Sequence, residues 1–151
     1  MTRSPIRVRE AVPGDAPQVG SLYEILTAKP CLVLPSRMAE IAADARSFLY
    51  VAEYEGCVAG TAFLTLCLDP MYGCQPFALV ENVVVDPALR GVGIGAALMH
   101  HIEVCCIQGD CSKIMLLSAA ARMDAHRFFG RLGYASDKKM GFVKYRSQLV
   151  E

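Results

Sequence analysis

Val83-Val84-Val85-Asp86-Pro87-Ala88-Leu89-Arg90-Gly91-Val92-Gly93-Ile94-Gly95 is the stretch on which the reading of this chain turns. Its β-branched residues end a buried strand, Pro87 stops that strand, and a glycine-rich turn opens directly into a helix. At such a junction the first backbone N–H groups of the helix lack intrahelical partners, and the positive end of the helix dipole lies at the same place. The result is a site for an anion. Glycines at positions 91, 93 and 95 let the backbone approach a phosphate with no Cβ in the way, and Arg90 adds a charge at the mouth.

Other phosphate-binding folds use a similar turn, and ordinary tight turns use glycine freely. Two features argue against a dinucleotide fold: the turn comes after residue 80 rather than at the first strand, and its R-G-x-G-x-G spacing differs from G-x-G-x-x-G. A P-loop is excluded because Ile94-Gly95-Ala96 stands where Gly-Lys-Ser or Gly-Lys-Thr is needed.

Upstream of the turn, Phe77 to Val85 is an almost continuous apolar run broken by Glu81 and Asn82, as in a central strand covered on both faces. Before it, Phe48 to Tyr54 and Val58 to Leu68 flank Glu55-Gly56 and predict an antiparallel hairpin. A polar stretch with Gly and Pro, 69 to 76, separates the hairpin from the central strand. At the start, Ile6 to Arg9 alternates as a half-buried strand. Gly14-Asp15 then opens a helix carrying Val19, Leu22, Ile25 and Leu26. Pro30 to Pro35 breaks that pattern and is a candidate substrate loop, after which Ser36 is placed to cap a helix from about Met38 to Ala45.

Downstream, the periodicity predicts a helix from about Gly93 to Ile107, a short strand over Lys113 to Ser118 and a helix over Asp124 to Leu132 ended by Gly133. A last strand pair is expected from Tyr134 to Tyr145. Strands that first dominate and then alternate with helices make an α/β fold with a mixed sheet. The 151 residues are expected to form a single domain, with no linker, repeat or low-complexity tract.

Composition narrows the partners. The formal net charge is +0 at pH 7, so no global field favours nucleic acid or an anionic membrane. The segment from Met1 to Arg9 lacks the apolar region of a secretory signal, and no run is long enough to span a bilayer; a soluble, cytoplasmic protein is expected. Seven cysteines, an odd number with no C-x-x-C pair, read as reduced, mostly buried small hydrophobes. His100, His101 and Glu103 resemble a metal cluster, but adjacent helical residues diverge by about a hundred degrees, so they read as surface residues and no metal is expected.

With these residues in view, Val85-Asp86-Pro87 followed by Arg90 to Gly95 resembles motif A of the GNAT acetyltransferases, the R/Q-x-x-G-x-G/A pyrophosphate loop. Ala125-His126-Arg127-Phe128-Phe129-Gly130-Arg131-Leu132-Gly133-Tyr134 is similar to motif B of the same family. Within the family, Arg122-x-Asp124-Ala125-His126-Arg127-Phe128 resembles the aminoalkylphosphonate N-acetyltransferase type. Two positions depart from the common pattern, Arg122 where Asn is usual and Phe129 where Tyr is usual.

The resemblance implies a mostly antiparallel sheet flanked by helices, with a splayed strand pair at the site of acetyl-CoA, the cosubstrate. Backbone groups of Val83 and Val85 would pair with the pantetheine like an added strand. The amides of Gly91, Val92, Gly93, Gly95 and Ala96, with Arg90, would hold the pyrophosphate, and His126 and Phe129 would lie near the coenzyme. Glu81, two residues before Val83, is expected on the same face as Val83 and Val85, where it can accept a proton from an ammonium substrate directly or through water. Phe129 cannot protonate a leaving thiolate, and Tyr134 and Tyr145 are the candidate replacements.

The expected function is direct transfer of acetyl to a primary amine of a small molecule, without a covalent enzyme intermediate because no Cys-His arrangement is recognisable. The alternatives are acetylation of a protein or peptide amine and a non-catalytic acyl-CoA-binding module. The resemblance also implies homodimerisation.

Overall fold

In the computed structural model, which describes residues 2–150, Glu55 and Gly56 take φ of 50° and 79° and close a two-residue turn. Left-handed conformation at both positions matches the twist of the flanking strands, β2 (Ser47–Tyr54) and β3 (Cys57–Cys67), and fixes their register with Leu49 opposite Phe63 and Val51 opposite Thr61. β1 (Arg7–Glu10) pairs antiparallel with β2, and β4 (Phe77–Val85) pairs antiparallel with β3. β5 (Ile114–Leu116) is parallel to β4, so the five strands lie in chain order in one mixed sheet.

Side-chain alternation along β2 assigns the helices to faces. Leu49 and Val51 join Ala11, Ala16, Val19 and Met38 in one apolar cluster, which places α1 (Ala16–Thr27) and α2 (Pro35–Ala43) on one face. Tyr50 points the other way, against His101 and Cys105 of α3 (Ile94–Gln108). Leu98, Met99 and Ile102 of α3 are fully buried there.

The start of α1 is tied to the sheet by an ion pair. Arg9 on β1 donates to both carboxylate oxygens of Asp15 at 2.7 and 3.0 Å and to Glu53 on β2 at 2.8 Å, while the Val12 amide donates to Asp15. The Arg9 hydrogen bonds hold the Asp15 carboxyl below its ordinary range, against an opposing effect of burial. α2 differs from expectation at its start: Pro35 is the first helical residue and Leu34 precedes it as the cap, because the fixed φ of proline suits that position.

The described chain falls into two compact units with the boundary between Leu116 and Leu117. The sheet and α1 to α3 make the first. In the second, α4 (Met123–Arg131) is followed by Gly133 at φ 92°, the left-handed stop expected there. The strand pair expected over Tyr134 to Tyr145 is absent, since no ladder forms in this segment. Met140, Phe142, Val143 and Tyr145 are exposed. Apolar alternation supplies one face of a strand but not a partner, and Asp137-Lys138-Lys139 and Gly141 interrupt it. The cysteines also depart from expectation: all seven are free, but Cys106 alone is buried, with Cys57 and Cys74 exposed.

Candidate active site

β4 loses its two neighbours on either side of Glu81, β5 just before it and β3 just after it. On one side its pairing with β5 ends at Val80 opposite Leu116, although β4 runs on to Val85. This is the splayed pair, and it explains why β5 covers Ile114–Leu116 rather than Lys113 to Ser118. On the other side the register with β3 shifts: Glu81 faces Phe63, Val84 faces Thr61, and neither Asn82 nor Val83 enters the ladder. Two residues of β4 therefore oppose Ala62, which is a β-bulge. Asn82 adopts φ 56°, a left-handed conformation that asparagine tolerates better than other residues with a Cβ.

The bulge corrects the expected facing of Glu81. Paired residues of an antiparallel ladder share a face, so Glu81 and Val84 lie with Phe63 and Thr61 on the α1 and α2 face. Val85 pairs with Gly60 and turns to the α3 face. Strict alternation from Glu81 to Val85 fails because the bulge inserts a residue between them. Glu81 is half-buried and has Asn82 and Val83, with their unladdered backbone, immediately beside it.

Beyond Val85, Asp86 accepts from the Ala88 amide at 2.9 Å and donates its own amide to Ala59 at 2.8 Å. That cap shapes the 3-10 turn Pro87–Leu89 and aims the chain at α3. Arg90 is exposed and has no ion pair among the described residues. Gly91 and Gly93 follow at φ 82° and 106°, where a side chain would be strained. A Cβ on Gly91 would meet nothing within 4 Å, and one on Gly93 would meet only Ile6, at 3.9 Å. Space for an anion lies directly over the backbone.

The first-turn amides of Ile94, Gly95 and Ala96 have no intrahelical acceptor, which leaves them free for an anion at the start of α3. The Val92 amide differs from its expected use, since it is directed at the Leu89 carbonyl at 3.4 Å. The loop and helix start thus fit a pyrophosphate, and the open edge of β4 at Val83 and Val85 fits an extended amide chain.

His126 and Phe129 belong to the second unit. The His126 Nε2 atom lies 2.9 Å from the Ala119 carbonyl, and Phe129 is buried against Phe128 and edge-on to Tyr134 at 6.1 Å. Tyr145 is exposed, at the start of the 3-10 turn Arg146–Gln148. Of the residues read as surface histidines, His100 is exposed, but His101 packs edge-on against Tyr50 at 4.6 Å. Among the described residues no group of three or more His, Cys, Asp or Glu side chains is arranged to hold a metal ion. No described helix is long and apolar enough to cross a membrane.

Sequence reasoning missed Asn82 as a structural determinant. Its signal was present: asparagine is depleted in strands, and here it stands mid-strand in an apolar run.

Comparison with known proteins adds to this geometry. A family model described as Acetyltransferase (GNAT) family matches residues 20–134. Glucosamine 6-phosphate N-acetyltransferase of Trypanosoma brucei brucei is 29% identical over 86 residues, which are 56% of this chain and 55% of that protein. The matched region thus spans about half the length of that curated relative. In fold, the chain is similar to glucosamine-6-phosphate N-acetyltransferase from Arabidopsis thaliana, with a TM-score of 0.81, 22% identity and coverage of 94% of this chain and 99% of that one. It is also similar in fold to an aminoglycoside N-acetyltransferase solved in complex with CoA, with a TM-score of 0.80, 17% identity and coverage of 96% and 97%.

Proposed function

The chain belongs to the GNAT family of acetyltransferases, and on that premise we propose that it moves the acetyl group of acetyl-CoA directly onto a primary amine of a small molecule. The observation that carries the reading is the continuity of two features on one strand. β4 is open on its β5 side beyond Val80, and the chain runs on from it through a glycine loop into the first turn of α3.

In this reading Gly91, Gly93, Gly95 and Ala96, with Arg90, hold the pyrophosphate, and the Val83 and Val85 backbone lines up the pantetheine. Bound acetyl-CoA supplies an acetyl thioester. The Val83 N–H, outside the β3 ladder, is available to the negative charge that develops on the acetyl oxygen. Glu81 accepts the proton of the ammonium group, directly or through water, so that the amine is neutral when it attacks. The carboxylate reaches the acceptor from the α1 and α2 face, not from the face of Val85.

The acceptor loops favour recognition of the amine over recognition of a phosphate or phosphonate. Residues 28–37 carry only Lys29 and Arg37 as cations, and Arg37 already pairs with Glu40 at 2.7 Å. A sugar phosphate of the kind named for the trypanosomal relative, or an aminoalkylphosphonate, calls for more positive charge than these loops supply.

The test is a panel of amines offered with acetyl-CoA while free thiol is followed, alongside melting curves with and without acetyl-CoA. Binding with turnover on at least one amine is expected. Binding without turnover on any amine or peptide favours the non-catalytic module, and no binding at millimolar acetyl-CoA overturns the cofactor assignment.

A further inference from the structure

The two faces of the central strands are not covered alike. On the α3 face Ala62, Leu64, Ala78 and Val80 are fully buried. On the opposite face the alternate residues Phe63 and Thr65 of β3, and Phe77, Leu79 and Glu81 of β4, are all half-buried. Phe63 packs against the apolar cluster beneath α1 and α2, while Phe77 and Leu79 stand outside it. A strip of this face is therefore left part-open from Glu81 toward the start of β4.

The register fixes what lines the strip. Glu81 stands opposite Phe63, and Leu79 lies between Thr65 on β3 and Met115 on β5, which is also half-buried. At the far end the Lys113 Nζ atom lies over the Phe77 ring, 5.2 Å from its centre. The Lys113 carbonyl accepts from the Ala78 amide at 2.9 Å, which fastens its backbone to β4, and its side chain makes no ion pair among the described residues. Phe77 and Glu81 are four residues apart on one strand, a span of about 13 Å.

A carboxylate at one end, a cation at the other and apolar side chains between them give the strip a direction. A molecule with one ammonium group lies with that group at Glu81 and its apolar body toward Phe77, whereas a second ammonium at the far end would meet Lys113. In the acetyl-transfer reading the coenzyme reaches Glu81 from the Val85 end of β4, so the body of the acceptor has to extend the other way, along this strip.

We propose that Phe63, Leu79 and Met115 form the seat of the acceptor, and that the acceptor is a monoamine with an aryl or alkyl body, its ammonium at Glu81 and its body directed toward Phe77 and Lys113. This rests on the acetyl-transfer reading above and adds to it the class of substrate. Leu79 and Lys113 are the specificity-determining residues: apolar burial against Leu79 contributes affinity, and Lys113 rejects a second positive charge.

The experiment follows thiol release by the full chain from acetyl-CoA with 2-phenylethylamine, ethylamine, glucosamine, hexylamine and 1,6-diaminohexane. The kcat/KM for 2-phenylethylamine is expected to exceed those for ethylamine and glucosamine by at least about tenfold, and that for hexylamine to exceed the equally long diamine by a similar factor. Leu79→Thr keeps a β-branched strand former but removes apolar surface, and raises KM for 2-phenylethylamine by about tenfold with KM for acetyl-CoA within about twofold. Lys113→Glu brings the diamine to within about twofold of hexylamine, and it decides the proposal if Leu79→Thr does not fold. Turnover that favours glucosamine, the diamine or a peptide amine overturns the proposal, as does an unchanged KM for 2-phenylethylamine in Leu79→Thr or a diamine still rejected by Lys113→Glu.

A second readout does not depend on turnover. In ¹⁵N-labelled protein saturated with coenzyme A, 2-phenylethylamine is expected to shift the amide resonances of Phe63, Leu79 and Met115 saturably, while those of Arg7 to Glu10 stay in place. Unmoved Phe63, Leu79 and Met115 resonances overturn the seat. A chain that neither binds acetyl-CoA nor releases thiol with any amine overturns the acetyl-transfer reading instead, and the same titration of the coenzyme-free chain then decides the seat.

Discussion

Gly60 and Ile94 meet where β3 passes beneath the first turn of α3: a Cβ built on Gly60 would come to 3.0 Å from Ile94 Cγ2, 3.2 Å from Leu98 Cδ1 and 3.2 Å from the Val84 carbonyl oxygen. The absence of a side chain at Gly60 therefore lets the N-terminal end of α3 lie directly on the sheet. Gly60→Ala forces that turn outward. Overpacking of this kind costs about 1–3 kcal/mol, so a lower melting temperature is expected together with weaker acetyl-CoA binding by calorimetry. Wild-type affinity in a destabilised variant would separate the packing of α3 from its ligand.

Gly95→Asp tests the pyrophosphate site with little threat to the fold. Position 95 lies in the first turn of α3, where aspartate is a tolerated and even favoured residue, but its carboxylate competes with the phosphates for the same amides. Gly93→Asp does the same and adds strain, since Gly93 sits at φ 106°. Both are expected to abolish coenzyme binding, with the ligand-free melting temperature near wild type for Gly95→Asp and lower for Gly93→Asp. Retained affinity in Gly95→Asp places the pyrophosphate elsewhere.

The fold was largely legible because its signals are local. The Glu55-Gly56 turn, the run Phe77–Val85 and the helix after Gly93 each announce themselves within a few residues, and the structure has them at or within a residue of the expected bounds. What escaped depends on distant partners. The facing of Glu81 follows from a bulge set opposite Ala62, and no pattern inside β4 reveals which residues β3 will leave unpaired. The Tyr134 to Tyr145 segment has the alternation of a strand without a ladder to join. The glycine loop was readable down to single residues, but the engagement of the Val92 amide by Leu89 was not, because turn hydrogen bonds depend on geometry set by Asp86.

Glu81→Gln removes the proposed proton acceptor while preserving size and the ladder contact with Phe63. Turnover should fall, with acetyl-CoA affinity unchanged. Without a base the amine must arrive deprotonated, so the rate of the variant keeps rising with pH where wild type has levelled. Equal turnover near neutral pH would assign Glu81 to structure.

Asp15 ties folding stability to pH. Its hydrogen bonds from Arg9 lower its folded pKa below the ordinary 3.8, so the contribution of the ionised carboxylate is present above that value and is lost as pH falls through the folded pKa. Asp15→Asn is expected to be less stable than wild type by a constant amount above about pH 5, with the gap narrowing as pH falls below about 4. Urea titrations at several pH values measure the gap. A difference that stays constant down to pH 2 would show that the ion pair does not contribute through charge.

Strand order along the sheet equals strand order along the chain, and only the last neighbour requires a crossover. The meander from β2 to β4 closes over short connections, whereas β5 docks over three residues after the whole of α3 has been laid down. Small units of this kind breathe before the rest of a molecule opens. Backbone hydrogen exchange is therefore expected to be faster at Ile114–Leu116 than at Leu49–Ala52, and to slow most at that margin when coenzyme is added. The edge proposed for the coenzyme is also the seam along which the sheet is least firmly sewn, so in that reading occupancy and cohesion rise together.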